Sequence, residues 1–557
     1  MTAAGEDELV FLPLGGSNEI GMNLNAYGFG PPHARSWIIV DIGVTFAAEE
    51  HLPGVELILP DPGYLEGENV LGIVLTHAHE DHIGAIAHLW PRFRVPVWAT
   101  PFTAALVREK LREKGLEKQV RMHEVPLKHR FQLGPFDIEY VTITHSIPEP
   151  NGLAIHTPLG TVLHTGDWKI DPDPLLGETT DVARLREIGE AGVLAMVCDS
   201  TNVFSPGESG SESGVREELI KVVAEQTGKV AVACFASNVA RMLSGVEAAR
   251  RSGRTVCLVG RSMVRIAGCA RAVGLIDPRT VFVDPAQAGY LPADKVLYLC
   301  TGSQGEPRAA LSQIAEGRHP HVTLNEGDAV LFSSREIPGN ERAIYDLQNR
   351  LAVRGVKVVT AGDRPIHVSG HPCRDELAAM YAWARPKIAV PTHGERRHLI
   401  EHARLAGELQ VPSSVVMQNG AMLRLAPGAA EIIDEVPAGR LYLDGSALVA
   451  EGDAAVRDRK FLAEHGVVAV SLVVDAKGRI KSGPDVRARG IAATTDKAYE
   501  QALEELADAA EAAFGKLSVA DRTDEETAEA AIAKAVRRAA ERAFSKRPVV
   551  EAVVMTI

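Results

Sequence analysis

About the first 200 residues repeat one pattern, in which a short apolar run rich in β-branched residues stops at a polar side chain able to bind a metal or a proton. Such runs occupy residues 36–42, 70–76, 137–144, 161–165 and 193–198, and they end near Asp41, His77, His145, Asp167 and Asp199. Apolar runs of this length between turn signals predict buried strands. Strand ends are being used as a platform for chemistry. Residues 205–214, Ser-Pro-Gly-Glu-Ser-Gly-Ser-Glu-Ser-Gly, read as a domain boundary followed by a helix from about Val215. From there to about residue 360, apolar strands at 230–235, 255–259, 329–332 and 356–360 alternate with amphipathic helices, the texture of a doubly wound α/β unit.

Residues 361–440 return to strand ends that bear histidines, at His367, His371 and His393. These late histidines need the early ones as partners. The expected organisation is therefore a first domain over 1–205, interrupted by 206–360 and completed by 361–445. A connector rich in Ala and charge follows at 446–466, then a small α/β domain at 467–557 with a strand near 467–474, two Ala/Glu-rich helices and a final strand at 549–557.

Composition narrows the function classes. The 557 residues carry 59 Lys and Arg against 73 Asp and Glu, a net charge of -14, with 46% hydrophobic residues. These values exclude a disordered or collagen-like chain. At 5% aromatic residues, reading nucleic acid mainly by base stacking is excluded too. No window approaches a membrane span and no secretory signal opens the sequence, so the expected location is cytoplasmic, with no membrane partner. Six cysteines without a Cys-x-x-Cys pair predict reduced, buried thiols.

The decisive stretch is Thr76-His77-Ala78-His79-Glu80-Asp81-His82-Ile83-Gly84, between a buried strand and a helix expected from about Ile83. Imidazole and carboxylate crowded this closely suit Zn or Mn, because without a cation they cost desolvation. His145, Asp167 and His393 lie at strand ends of the same system and are candidate ligands. His371, in Ser369-Gly370-His371-Pro372, precedes a helical run at 374–384 with proline placed for its first turn, a ready anion site. Asp199 reads either as a site acid or as a plain cap for the turn at 200–202. Residues 333–338 fall between a strand and a helix from about Asn340. Basic clusters at Arg108, Lys110, Arg112 and Lys114, and at Arg261 with Arg265, are candidates for gripping phosphates. The Gly15-Gly16-Ser17 loop reads as a tight turn with no catalytic role.

The set His77-x-His79-x-Asp81-His82, His145 and Asp167 resembles the metallo-β-lactamase superfamily, and Asp199, His371 and His393 match the further motifs of its β-CASP nucleases. The resemblance implies a metallo-β-lactamase αββα sandwich interrupted by a doubly wound β-CASP domain, plus the small C-terminal α/β domain. It implies one divalent ion held by His77, His79 and His145, another by Asp81, His82 and His393, and Asp167 bridging the two. Two such ions generate hydroxide at neutral pH and stabilise in-line displacement at phosphorus. Histidine at position 393 implies the RNA-acting branch. By the same resemblance Asp81, Asp199 and His371 are catalytic, His371 protonating the leaving oxygen while Asp199 orients it. Ser334 with His367, Val368, Ser369, Gly370 and His371 is expected to bind a substrate phosphate and read a 5′-monophosphate end. That implies 5′-to-3′ exonuclease action beside internal cleavage, in RNA decay and maturation. A homodimer through 467–557 and association with an RNA decay complex or ribosomes are implied as well. An extra structural ion near Asp444 is left unassigned, because the match around Glu49 and Glu50 is poor. Two other readings are a small-molecule hydrolase, which needs neither the insertion nor His371 and His393, and a catalytically silent RNA-binding scaffold, which needs no ligand set.

Overall fold

The computed structural model describes residues 6–46, 52–337 and 339–557, which fall into two compact units, 1–45 with 59–440, and 46–58 with 441–557. In the first unit an eight-stranded and a seven-stranded sheet enclose one core. Phe11, Tyr27, Ile38 and Val40 enter it from the first sheet, and Ile138, Tyr140, Leu153, Val197 and Val390 from the second. Each such side chain stabilises the fold by about 1.5–3 kcal/mol on burial.

The late part of the chain completes both sheets. The strand Ala421–Ala426 pairs antiparallel with Glu8–Gly15. Ile388–Thr392 runs parallel to Ala195–Asp199, with Asp199 opposite Thr392. This register places His393 beside the Asp199 strand end. Helices Val182–Ala191 and Arg374–Ala384 cover the outer face of that sheet through Leu185, Ile188, Leu377 and Met380. Helix Arg374–Ala384 starts where expected because Glu376 folds back onto the Cys373 N–H at 2.7 Å. Cys373 is the cap, so Pro372 precedes the helix instead of occupying its first turn.

Two helix starts differ from expectation. A short helix, Glu80–Ile83, begins inside the histidine motif, ahead of Ile86–Phe93. The helix after the 205–214 boundary begins at Glu212, capped by Ser211. Both starts are set by turn geometry that apolar periodicity does not record.

The inserted α/β segment is a parallel five-stranded sheet in the order Thr255–Val259, Val296–Cys300, Val230–Ala233, Ala329–Phe332, Lys357–Val359. Val296–Cys300 was absent from the expected strands.

In the second unit, Ile480–Arg489, Val467–Val474 and Val549–Thr556 form a three-stranded sheet packed on helices Asp496–Gly515 and Glu525–Phe544. The strand Ile480–Arg489 escaped the sequence pattern because it is an edge strand carrying Gly483-Pro484 and many charges. The expected connector 446–466 is ordered as the strand Ala447–Ala450 and the helix Ala454–His465. Asp444 is ion-paired with Arg459, while Glu49 and Glu50 lie outside the described residues. Among the described residues no helix is long and apolar enough to cross a membrane. All six cysteines are free and buried.

Candidate metal centre

Strand ends of both sheets deliver seven side chains to one point. His77 Nε2 and His145 Nε2 lie 3.1 and 3.0 Å from His79 Nδ1, and 4.0 and 3.9 Å from Asp167 Oδ2. On the other side of Asp167, its Oδ2 stands 3.2 Å from His82 Nε2 and 3.5 Å from His393 Nε2. Asp81 Oδ2 completes that group, 3.1 Å from His393 and 3.6 Å from His82. Four ligands on a tetrahedral ion with bonds of about 2.1 Å stand roughly 3.4 Å apart. Both groups have that spacing and share Asp167, as a bridging ligand requires.

Electrostatics agree with a cation site. Burial pushes His77, His79 and His145 down, His79 to about 4, so their nitrogens converge as neutral lone pairs. Burial also opposes protons on His82 and His393, yet Asp167 leads the carboxylates that raise both. Burial alone would raise Asp81 and Asp167, but the histidines beside them hold both below the usual carboxylate range. A bound cation displaces the protons of the second group. Asp167 Oδ1 is buried without a hydrogen-bond partner, an orphan acceptor that a cation satisfies.

The rings are oriented by groups behind them. Asp41 Oδ2 lies 2.7 Å from His82 Nδ1, and Asp41 also accepts from Thr76 N and Oγ1, each at 2.8 Å. Thr201 Oγ1 lies 2.9 Å from His393 Nδ1. The Gly370 carbonyl accepts from His145 Nδ1 at 2.5 Å, and a Cβ on Gly370 would stand 2.8 Å from His145 Cε1. Such partners fix tautomer and ring plane. Asp41 and His393 both hold left-handed backbone, φ 63° and 51°, a conformation costing roughly 1–2 kcal/mol that aims side chains into the site. The Gly16 carbonyl accepts from His393 N at 2.7 Å, so the first turn supports this ligand from behind. Sequence reasoning gave no role to Asp41, Thr201 or Gly16; Asp41 alone left a signal, as an acid ending an apolar run.

Beside the cluster, His371 Nδ1 donates to Asp199 Oδ2 at 2.8 Å. Asp199 also caps the following turn, its Oδ1 accepting from Thr201 N at 2.8 Å. Asp199 thus meets the His371 ring with one oxygen and the turn with the other. His371 also stands 3.9 Å from Asp167, but its Nδ1 is engaged with Asp199. Burial works against a proton on His371, and Asp199 outweighs it and raises the ring.

Of the expected phosphate residues, Ser369 borders this pair, its Oγ accepting from His371 N at 3.2 Å. Asn202 Nδ2 donates to Ser369 Oγ at 2.7 Å and to the His371 carbonyl at 3.0 Å. Ser333 Oγ donates to the Ile366 carbonyl at 2.6 Å, which brings buried Ser334 next to the segment bearing His367. Val368 stands beside Gly210. Most cations of the expected basic clusters meet a carboxylate. Arg108 pairs with Glu124, Arg112 with Glu109 and Glu117, Lys110 with Glu80, and Arg265 with Glu113. Lys114 and Arg261 are exposed.

A sandwich whose metal cluster is completed only after a parallel α/β unit has been inserted is the architecture of the β-CASP metallo-hydrolases. Family models agree segment by segment: a beta-lactamase superfamily domain at 36–186, the ribonuclease J beta-CASP domain at 227–351, a Zn-dependent metallo-hydrolase RNA specificity domain at 355–416, and the ribonuclease J C-terminal domain at 454–557. Ribonuclease J of Sinorhizobium meliloti is 47% identical over 98% of this chain and 97% of its own length. Ribonuclease J of Mycolicibacterium smegmatis is 41% identical over 94% and 92%, and that of Thermus thermophilus 35% identical over 86% of each. The chain belongs to the ribonuclease J family. A solved protein of unknown function from Enterococcus faecalis V583 superposes with TM-score 0.51 at 15% identity, over 75% of this chain and 100% of its own, and shares the fold alone.

Proposed function

We propose that this chain, a metal-dependent ribonuclease, shortens RNA from a 5′-monophosphate end in the 5′-to-3′ direction and also cuts internally, using two divalent ions, Zn or Mn. The observation that supports this most is the convergence of two four-residue ligand groups on Asp167, with the His371–Asp199 pair at their edge. His77, His79 and His145 hold one ion, and Asp81, His82 and His393 the other. Divalent ions held there supply a nucleophile at neutral pH and neutralise charge at the phosphoryl group.

The chain's own residues do the rest. Asp199 fixes His371 through Nδ1 and favours the protonated ring, whose Nε2–H then protonates the leaving oxygen. Cleaving the P–O3′ bond leaves the phosphate on the downstream fragment, so each cut regenerates the 5′-monophosphate. Ser334, His367, Val368, Ser369, Gly370 and His371 are the residues proposed to read that end. The test is an RNA labelled at either end, incubated with Mn or Zn. Mononucleotides released progressively from a 5′-monophosphate substrate, with slower release from a 5′-triphosphate one, are expected. Internal fragments alone would remove the 5′-end reading.

We also propose the division 1–205, 206–360, 361–445, 446–466 and 467–557, a cytoplasmic homodimer using the C-terminal domain, and association with an RNA decay complex or ribosomes. Sedimentation of the full chain against one truncated after residue 445 tests the dimer.

A further inference from the structure

A buried charge pair with no role so far stands behind the proposed phosphate pocket. Arg241, in the first turn of helix Val239–Arg251, is 1% exposed, and Glu212 is 3% exposed. Arg241 Nε and Nη2 donate to the Glu212 carboxylate at 3.0 and 2.8 Å, and Asn238 Nδ2 adds a third hydrogen bond at 3.1 Å. Nη1 serves the pocket side. It lies 2.6 Å from the Ser333 carbonyl, 2.7 Å from Ser333 Oγ, 3.3 Å from the Ile366 carbonyl and 3.4 Å from His367 Nδ1. One guanidinium thus ties the end of strand Ala329–Phe332 to the segment that carries His367 and His371.

The anchor runs back toward the metal centre. Glu212 N donates to Asp171 Oδ2 at 3.0 Å, and the same carboxylate stands 3.1 Å from Lys169 Nζ, two residues beyond Asp167. Lys169–Asp171 and Glu212–Arg241 are thus two buried ion pairs joined through the Glu212 N–H, running from the Asp167 strand end to the pocket.

A guanidinium has five donors and no acceptor. The two Nη1 hydrogens are nearest the Ser333 carbonyl and Oγ, and a proton on His367 Nδ1, 3.4 Å from Nη1, would face them, which favours the imidazole proton on the other nitrogen. We infer that Arg241, with Glu212 as its counter-ion, is a positioning residue that fixes His367 as the Nε2–H tautomer, a neutral hydrogen-bond donor to a terminal phosphate. Burial first, then the charge of Arg241, lowers this imidazole to about 3, in keeping with a neutral ring. A neutral donor holds a phosphate oxygen by direction, without proton uptake on binding. The inference rests on the reading of residues 366–371 as the 5′-monophosphate pocket.

The test uses the full-length, metal-loaded enzyme labelled with 15N-histidine, His367 being assigned by its loss in His367→Gln. Wild type is expected to give the Nε2–H pattern. In Glu212→Gln/Arg241→Gln the charges are removed together, so no lone carboxylate is left buried. An amide at 241 can donate or accept, so the His367 tautomers are expected to mix. KM for 5′-monophosphate RNA should rise about tenfold, in the range for a displaced supporting group. Arg241→Lys retains a donor and should recover most of the KM. An Nδ1–H ring in wild type, or an unchanged tautomer and KM in the folded double variant, would overturn the inference. Equal wild-type rates on monophosphate and triphosphate ends would instead remove the pocket reading and leave the tautomer result standing.

Discussion

The metal centre and the helix Pro101–Glu113 are both crowded with polar groups, and they differ in whether those groups satisfy one another. On the helix, Arg108, Lys110 and Arg112 each meet a carboxylate. Those three cations are already paired within the protein, and exposed pairs of this kind contribute little. At the metal centre, neutral imidazole nitrogens face one another at 3.0 and 3.1 Å and Asp167 Oδ1 has no partner. Such an arrangement is expensive until a cation enters. Function sits where the fold gathers groups that cannot complete one another, and charge alone does not mark the place.

The sharpest way to break this contrast is to remove the shared ligand. Asp167→Ala should lose bound metal and lower cleavage of 5′-monophosphate RNA by on the order of a thousandfold or more. Metal content by mass spectrometry, beside circular dichroism of the fold, checks it; wild-type activity in a folded variant would end the two-ion reading. His79→Ala should behave alike.

Next in size is His371→Ala, with a loss of roughly a hundred- to ten-thousandfold, the range for a lost general acid, and metal content unchanged. The sign of the pH effect follows from Asp199, which overcomes burial and raises His371 above its ordinary 6.5. The acid form persists below that raised value and is lost as pH rises through it, so wild-type kcat should fall along a limb above pH 6.5. In Asp199→Asn the limb should move to lower pH. An unmoved limb assigns it to another group.

Much of the ligand cluster was readable because His77, His145, Asp167 and His393 each follow an apolar run, and three histidines of one motif lie within six positions, from His77 to His82. What stayed hidden has a common cause. Asp41 meets His82 from 41 residues away, Gly370 meets His145 across 225, and Arg241 meets Ser333 across 92. Each is one half of a buried pair, and local periodicity cannot say which distant acceptor a side chain reaches. The pairing of the basic helix was hidden for the converse reason: its cations are adjacent in sequence, while the partner carboxylates of Arg108 and Lys110, Glu124 and Glu80, lie on other elements. The strand Val296–Cys300, apolar throughout and flanked by strands on both sides, carries no alternation by which to tell it from a helix turn.

A smaller effect tests the shell behind the ligands. Asp41→Asn keeps the size of the side chain but weakens its hold on His82 Nδ1, and should reduce metal affinity about ten- to a hundredfold. Competition against a chelator reads the affinity, and excess metal should restore cleavage. Failure of excess metal to restore it would mean that Asp41 acts on the chemistry directly.

The smallest effect belongs to the other side of the contrast. If Arg108 and Arg112 are occupied by Glu124, Glu109 and Glu117, replacing each by Ala should leave KM for RNA within about twofold, as for other exposed pairs. The dependence on salt is the more discriminating readout. A cation that neutralises a phosphate contributes about 0.7 to the slope of log K against log salt for single strands. Both variants should keep the wild-type slope, because no counterion is released by a charge already paired within the protein. A slope shallower by that amount in either variant would show that RNA displaces the carboxylate, making this helix part of the binding surface and erasing the distinction between paired and unpaired polar groups.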